Sequence, residues 1–166
     1  ALLHQVAQPA VQVVDDPVEI KIEGCPPREV GVPVHPDFPE RGERTFHTMD
    51  TFFIAKSDYK QLAEGYMHRL MDCCNFVLKG TTFHFQSQVY DNYRNAKDQG
   101  RIIHWLPASM HRQVDVHFET GLTTSGLGEE GLAKLKEGVI IQCERRFFAR
   151  VDKQEKNKTV VWYLHR

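Results

Sequence analysis

Alternation of apolar and polar side chains with a period of two runs through most of this 166-residue chain. A half-buried strand needs that period, because successive side chains leave opposite faces of the pleat. It appears first at residues 17–22 (PVEIKI), where Val18, Ile20 and Ile22 alternate with Glu19 and Lys21. Val30, Val32 and Val34 repeat it, and residues 51–55 form a compact apolar run. Residues 75–79 and 81–85 follow, separated by Gly80 as in a hairpin. Residues 101–106, 114–118, 139–143, 147–151 and 159–164 complete a series of about ten predicted strands.

Helix signals are sparse. Ser57 and Asp58 are placed to cap one turn through Leu62, and residues 129–135 offer a second short piece closed by Gly138. Neither is long enough for a parallel crossover, so the strands are expected to pair mostly antiparallel. About ten short strands exceed the needs of one small barrel, which predicts two barrels or a large sandwich. The fold class expected is all-β, with long loops and short helical turns. Residues 1–14 carry no strong period and read as a connecting segment; residues 121–131 (GLTTSGLGEEG) read as a glycine-rich surface loop. Residues 35–44 (HPDFPERGER) are shaped by Pro36, Pro39 and Gly42 and charged by Arg41, Glu43 and Arg44, the composition of a rigid polar loop on a β scaffold that meets a partner.

Composition then removes several classes of function. No apolar run reaches membrane-spanning length, and the first ten residues lack the basic start and apolar middle of a signal peptide, so the chain reads as cytoplasmic with no membrane partner. Cys25, Cys73, Cys74 and Cys143 have no C-x-x-C spacing and are expected as buried, reduced thiols. None of the nine histidines falls in a zinc-ligand pattern, and His104, beside Trp105 in a predicted strand, reads as structural. No nucleophile elbow and no phosphate-binding glycine loop occurs. No metal and no catalytic residue is expected in the chain.

The net charge of −1 hides an asymmetry. Residues 1–50 hold four Lys or Arg against nine Asp or Glu, and residues 51–166 hold seventeen against thirteen. On the basic side, Arg69 lies in YMHRLMD, Arg101 precedes Ile-Ile-His-Trp, and Arg145 and Arg146 precede Phe147 and Phe148. Guanidinium forks suit phosphates and unstacked bases, and rings beside them can stack on a splayed base, which points to RNA rather than DNA. The same residues also fit a plainer reading, with the aromatics in the core and the arginines only solvated.

Five ordered blocks carry a resemblance: DPVEIKIEG at 16–24, VPVHPDFPERGER at 32–44, HRLMD at 68–72, GRIIHWLPA at 100–108 and ERRFFARVD at 144–152. Together they resemble the C-terminal anticodon-binding region of archaeal- and eukaryotic-type glutamyl-tRNA synthetases, over about residues 15–166. The resemblance implies two antiparallel β-barrels that grip the anticodon loop of tRNA(Glu): a proximal one from 15–54 plus 107–166, and a distal one from 55–106. It also implies a catalytic domain in the same polypeptide that aminoacylates tRNA with ATP and Mg. The class I signatures H-x-G-H and K-M-S-K-S do not occur here, and a chain opening on Ala1 fits a piece of a longer enzyme, so no cofactor is expected within these residues. In related glutaminyl enzymes an anticodon-contacting strand reads V-R-L-R-N; here Arg69 matches its first arginine and Met71 replaces its second. Their F-E-R-E block matches Cys143 to Arg146, making Arg145 the matched arginine. An arginine they carry shortly before the D-P-V block has no counterpart among Ala10, Val11 and Gln12. The RNA contacts expected are Arg69 and Arg145, then Tyr66, His68, Arg101, Arg146, Arg41 and Arg44. Two alternatives stand beside this one: a glutaminyl-tRNA synthetase region, and a protein-interaction β-domain that docks through the 35–44 loop.

Overall fold

The computed structural model describes residues 10–35, 37–144 and 146–166, and among them sixteen strands carry the fold. In chain order the first eight are β1 (Ala10–Val11), β2 (Val13–Asp15), β3 (Pro17–Glu23), β4 (Arg28–Pro33), β5 (Glu43–Thr48), β6 (Thr51–Ala55), β7 (Met67–Leu70) and β8 (Cys74–Lys79). The rest are β9 (Thr82–Ser87), β10 (Gln99–Ile103), β11 (Trp105–Pro107), β12 (His111–His117), β13 (Thr123–Glu129), β14 (Ile140–Cys143), β15 (Phe147–Gln154) and β16 (Lys158–His165). Among the described residues, helix is confined to α1 (Lys56–Tyr59), α2 (Tyr90–Arg94) and 3-10 turns at Pro39–Arg41 and Glu130–Lys134. The chain is all-β with short helices, as its period predicts. No helix among the described residues is long and apolar enough to cross a membrane.

Two compact units divide the chain. The middle unit takes residues 14–31 and 45–110; the terminal unit takes, of the described residues, 10–13, 32–44 and 111–166. This division differs from the one expected, because β3 pairs with β6 along Pro17 to Lys21 and then with β9 at Ile22 and Glu23, which ties 17–23 and 51–55 to the strands of 55–106.

The middle unit's sheet has the order β10-β7-β8-β9-β3-β6-β11, and the terminal unit's sheet has the order β1-β14-β15-β16-β12-β13-β2. Neither order closes on itself. In each, however, the two edge strands are consecutive in the chain: only His104 separates β10 from β11, and only Gln12 separates β1 from β2. One segment thus bonds to both ends of its sheet, so each sheet curls towards that segment, the terminal unit's as far as a half-barrel, without closing. At Gln12 the backbone is held from both sides. Glu144 N–H donates to Val11 O at 2.9 Å, and Glu129 N–H donates to Gln12 O at 3.1 Å. Most pairings are antiparallel, as expected, but β1–β14, β3–β9, β7–β10 and β12–β16 are parallel, so neither sheet is the purely antiparallel one that the resemblance implies.

Two expectations need correction here. Residues 10–14 are strand rather than connection: Ala10, Val11, Val13 and Val14 are all buried, and the run is too short to show a period. Residues 123–129 are the seven-residue strand β13, paired to β12 throughout, rather than loop. Gly128 explains why it reads as loop. A Cβ there would meet Leu132 Cδ1 at 2.5 Å and Val114 Cγ2 at 2.7 Å, so the glycine permits a close approach of core to backbone.

Each unit has its own core. In the terminal unit Val11, Val13, Val114, Val116, Leu132, Ile141, Cys143, Ala149, Val151 and Val161 cluster beneath Phe118, Phe147 and Tyr163. In the middle unit Trp105 is fully buried, edge-on to Phe46 and Phe52 at 5.5 Å, with its indole N–H donating to Met71 O at 2.8 Å. A buried indole needs that partner, since an unpaired donor would forfeit part of what its burial contributes. The four cysteines are buried and free of disulfides, as their spacing predicts.

Candidate nucleic-acid interface

In the middle unit, β7 alternates as a strand must. His68 and Leu70 are fully buried, while Arg69 leaves the opposite face in a row with its cross-strand partners Ile102, Asn75 and, beyond Asn75, Ser87. That face is covered. Arg69 is only 7% exposed, because the segment running from Ser87 into α2 lies over it. Its guanidinium donates to Asn75 Oδ1 at 2.8 Å and to Gln88 O at 3.2 Å, and stands 5.4 Å from the centroid of the Tyr90 ring. Asn75 completes the clamp by donating to Ser87 Oγ at 2.8 Å and Val89 O at 2.7 Å. Arg69 is thus spent on positioning 87–90, and the fork expected to read RNA points into the protein's own chain.

His68, also expected as an RNA contact, is sealed inside the unit. Its Nδ1 accepts the Arg101 N–H at 3.1 Å, which leaves Nε2 protonated to donate to Ala63 O at 3.1 Å. Gly100 gives the ring its room: a Cβ there would overlap the imidazole. Burial pushes the His68 pKa below the usual imidazole value; the bond to Ala63 opposes the shift, and the Arg101 charge adds to it. A neutral ring with both nitrogens engaged is structural. Met71, which stands where the related strand has its second arginine, is buried as well.

Arg101 and Tyr66 remain on the surface of this unit. Arg101 bridges to Asp58 at 3.3 Å and donates to Gln61 Oε1 at 2.5 Å, with nearly half of its side chain in solvent. Tyr66 is 42% exposed. Tyr90, which sequence reasoning passed over, is 49% exposed and stands tilted by 39° to the Tyr93 ring at 6.1 Å between centroids. Two tyrosines three residues apart in YDNYR were the available signal, and that spacing alone is too common to single out.

In the terminal unit the 35–44 loop is braced by contacts around the 3-10 turn that Pro39 opens. Pro36 and Arg145 lie outside the described residues, so two expectations, the loop's first proline and the matched arginine of the ERR block, are left unaddressed by the geometry. The Asp37 N–H donates to His35 Nδ1 at 3.1 Å, His35 and Phe38 stand 4.9 Å apart, and Arg41 lies over Phe38 at 5.4 Å. Gly42, at φ +88°, turns the chain into β5, and its carbonyl accepts the Val34 N–H at 3.0 Å.

Arg44, also expected as an RNA contact, turns inward to partners within the chain. It donates to Pro33 O at 2.6 Å and pairs with Glu129 at 2.9 Å and Glu144 at 3.6 Å. Glu129 is buried and also accepts the Gln12 N–H at 2.9 Å. Burial outweighs these donors and holds the Glu129 carboxyl above its ordinary value. The knot ties the loop to β13 and β14, so Arg44 anchors it from below while Arg41 stays exposed. Arg146 donates to Val13 O at 3.4 Å and lies over Phe147 at 5.7 Å; its burial lowers its pKa. Among the described residues no group of three His, Cys, Asp or Glu side chains is arranged to hold a metal ion.

Comparison with known proteins places these observations. Glutamate-tRNA ligase of Methanobrevibacter smithii is 33% identical over 155 residues, which cover 92% of this chain and 27% of the relative. Glutamate-tRNA ligase of Pyrococcus furiosus is 36% identical over 160 residues, with the same coverage of each. The chain therefore spans about a quarter of the length of these relatives. Residues 10–95, more than half of the chain, match the family model of the anti-codon binding domain of class I tRNA synthetases (E and Q), and the chain belongs to that family.

Proposed function

We propose that this chain is the anticodon-binding region of a glutamate-tRNA ligase and that it grips the anticodon loop of tRNA(Glu). The observation that carries the reading is the alignment of nearly the whole chain with relatives of that name. A catalytic domain of the same polypeptide would use ATP and Mg to join glutamate to the tRNA, while these residues contribute binding and orientation. Exposed Arg101 and Tyr66 in the middle unit, and Arg41 in the terminal unit, are the side chains best disposed to meet phosphates and bases. Arg145 joins them by its match to the related block, and Arg146 supports the turn beside it.

The test is binding of the full-length protein to tRNA(Glu) and tRNA(Gln) across a salt series. The expected result is preference for tRNA(Glu), with the logarithm of affinity falling linearly as the logarithm of salt rises, because phosphate contacts release counterions. Preference for tRNA(Gln) would move the chain to the glutaminyl branch. Salt-insensitive association with no tRNA competition would favour a protein-docking domain instead.

A further inference from the structure

Arg69 is a buried cation without an anion. Its contacts are the neutral oxygens of Asn75 and Gln88 and the Tyr90 ring; among the described residues no carboxylate pairs with it. A guanidinium taken out of water is normally matched by a carboxylate, since the desolvation is otherwise uncompensated. What stands between Arg69 and solvent is the 87–90 segment, with the Tyr90 ring over the guanidinium.

Tyr90 is held in that place by a chain of bonds. Arg69 and Asn75 clamp the carbonyls of Gln88 and Val89, Asn92 donates to Ser87 Oγ at 2.9 Å, and the Tyr93 hydroxyl ties α2 to Gly100 O at 2.9 Å. The ring is thus fixed, flat, cation-backed and half exposed. A planar ring presented this way offers a π-face to any base, and a positive charge beneath it attracts the phosphates on either side of that base.

We propose that Tyr90, held and backed by Arg69, is a stacking platform for one unpaired base of an RNA loop. The proposal rests on the anticodon-binding reading and deepens it: Tyr90 is the contacting residue, and Arg69 a positioning residue that acts through it. A sheet-face arginine covered by an aromatic strap does its electrostatic work without reaching a base edge, so the platform tolerates any base and supplies affinity rather than choice.

The experiment titrates the full-length protein with an anticodon stem-loop of tRNA(Glu) in which each loop base in turn is replaced by 2-aminopurine, whose fluorescence is quenched by stacking. The wild-type protein is expected to quench one loop position strongly. Tyr90→Phe keeps the face and should stay within about twofold in affinity, whereas Tyr90→Leu still covers Arg69 but cannot stack, and should lose about tenfold together with that one quenching signal. Arg69→Met should weaken both signals while Tyr90 remains. If no loop position is quenched by the wild-type protein, or if Tyr90→Leu binds and quenches as the wild type does, the platform is overturned and the anticodon reading stands. If the wild-type protein binds no stem-loop in a salt-dependent way, the anticodon reading falls with it.

Discussion

A histidine and an arginine decide how the two units can be probed one residue at a time. His68 is neutral in the fold, with Nδ1 accepting and Nε2 donating, and burial holds its pKa below the free value of about 6.5. Protonation therefore favours the unfolded chain. The His68 contribution to stability is present above the unfolded pKa and is lost as pH falls from there towards the lowered folded pKa. Denaturant unfolding between pH 7 and pH 5 should show that loss in the wild-type protein and a smaller one in His68→Gln, whose amide can imitate both bonds without titrating. Equal slopes in the two proteins would place the proton elsewhere. Arg44→Ala makes a second test at this scale. It would leave Glu129 and Glu144 inside the terminal unit without their cation, and removal of one partner of a buried pair is expected to destabilise by about 3–5 kcal/mol. Arg41→Ala, on the exposed side of the same loop, should leave the unfolding midpoint nearly unchanged.

Strands come next, and here legibility follows burial pattern. β3, β6 and β12 were readable because one face meets a core and the other is more open, which writes a period of two into the residues. β1 and β2 were not, since a strand of two or three residues buried on every side has no room for a period. β13 was hidden by its glycines. Gly128 faces Leu132 and Val114 so closely that Gly128→Val would force both side chains off their rotamers, and the substitution should destabilise by about 1–3 kcal/mol in a thermal melt. An unchanged melt would mean that β13 can shift away from the core, and that the strand is held less firmly than its pairing to β12 indicates. The same reasoning covers β7: HRLMD was legible as a strand by resemblance, yet only the covering 87–93 segment makes its outward arginine a buried one.

At the scale of the molecule, the two curled sheets share one device. A single residue, Gln12 in one and His104 in the other, interrupts a segment that serves both ends of its sheet. Curling brings the two edge strands of each sheet to one segment and leaves loops and sheet faces as the surfaces that can meet a ligand. For an RNA-binding region that matters directly. The contacts proposed for Arg101, Tyr66, Arg41 and Tyr90 come from the edge strand β10, a loop, a 3-10 turn and the short α2, which the sheets hold still.

By itself the amino-acid sequence determined that this protein is built of short strands, carries no metal-ligand or nucleophile motif, and resembles the anticodon-binding region of a tRNA synthetase. Those properties live in local periodicity and in residue identity, and both survive without coordinates. Tertiary structure alone decided which arginines face water. Arg44 and Arg69 look as available as Arg41 and Arg101 along the chain, but Asn75, Gln88, Glu129 and Glu144 reach them from 6 to 100 positions away, and only folding brings such partners within hydrogen-bond distance. Side-chain direction is a local property; what covers a side chain is not.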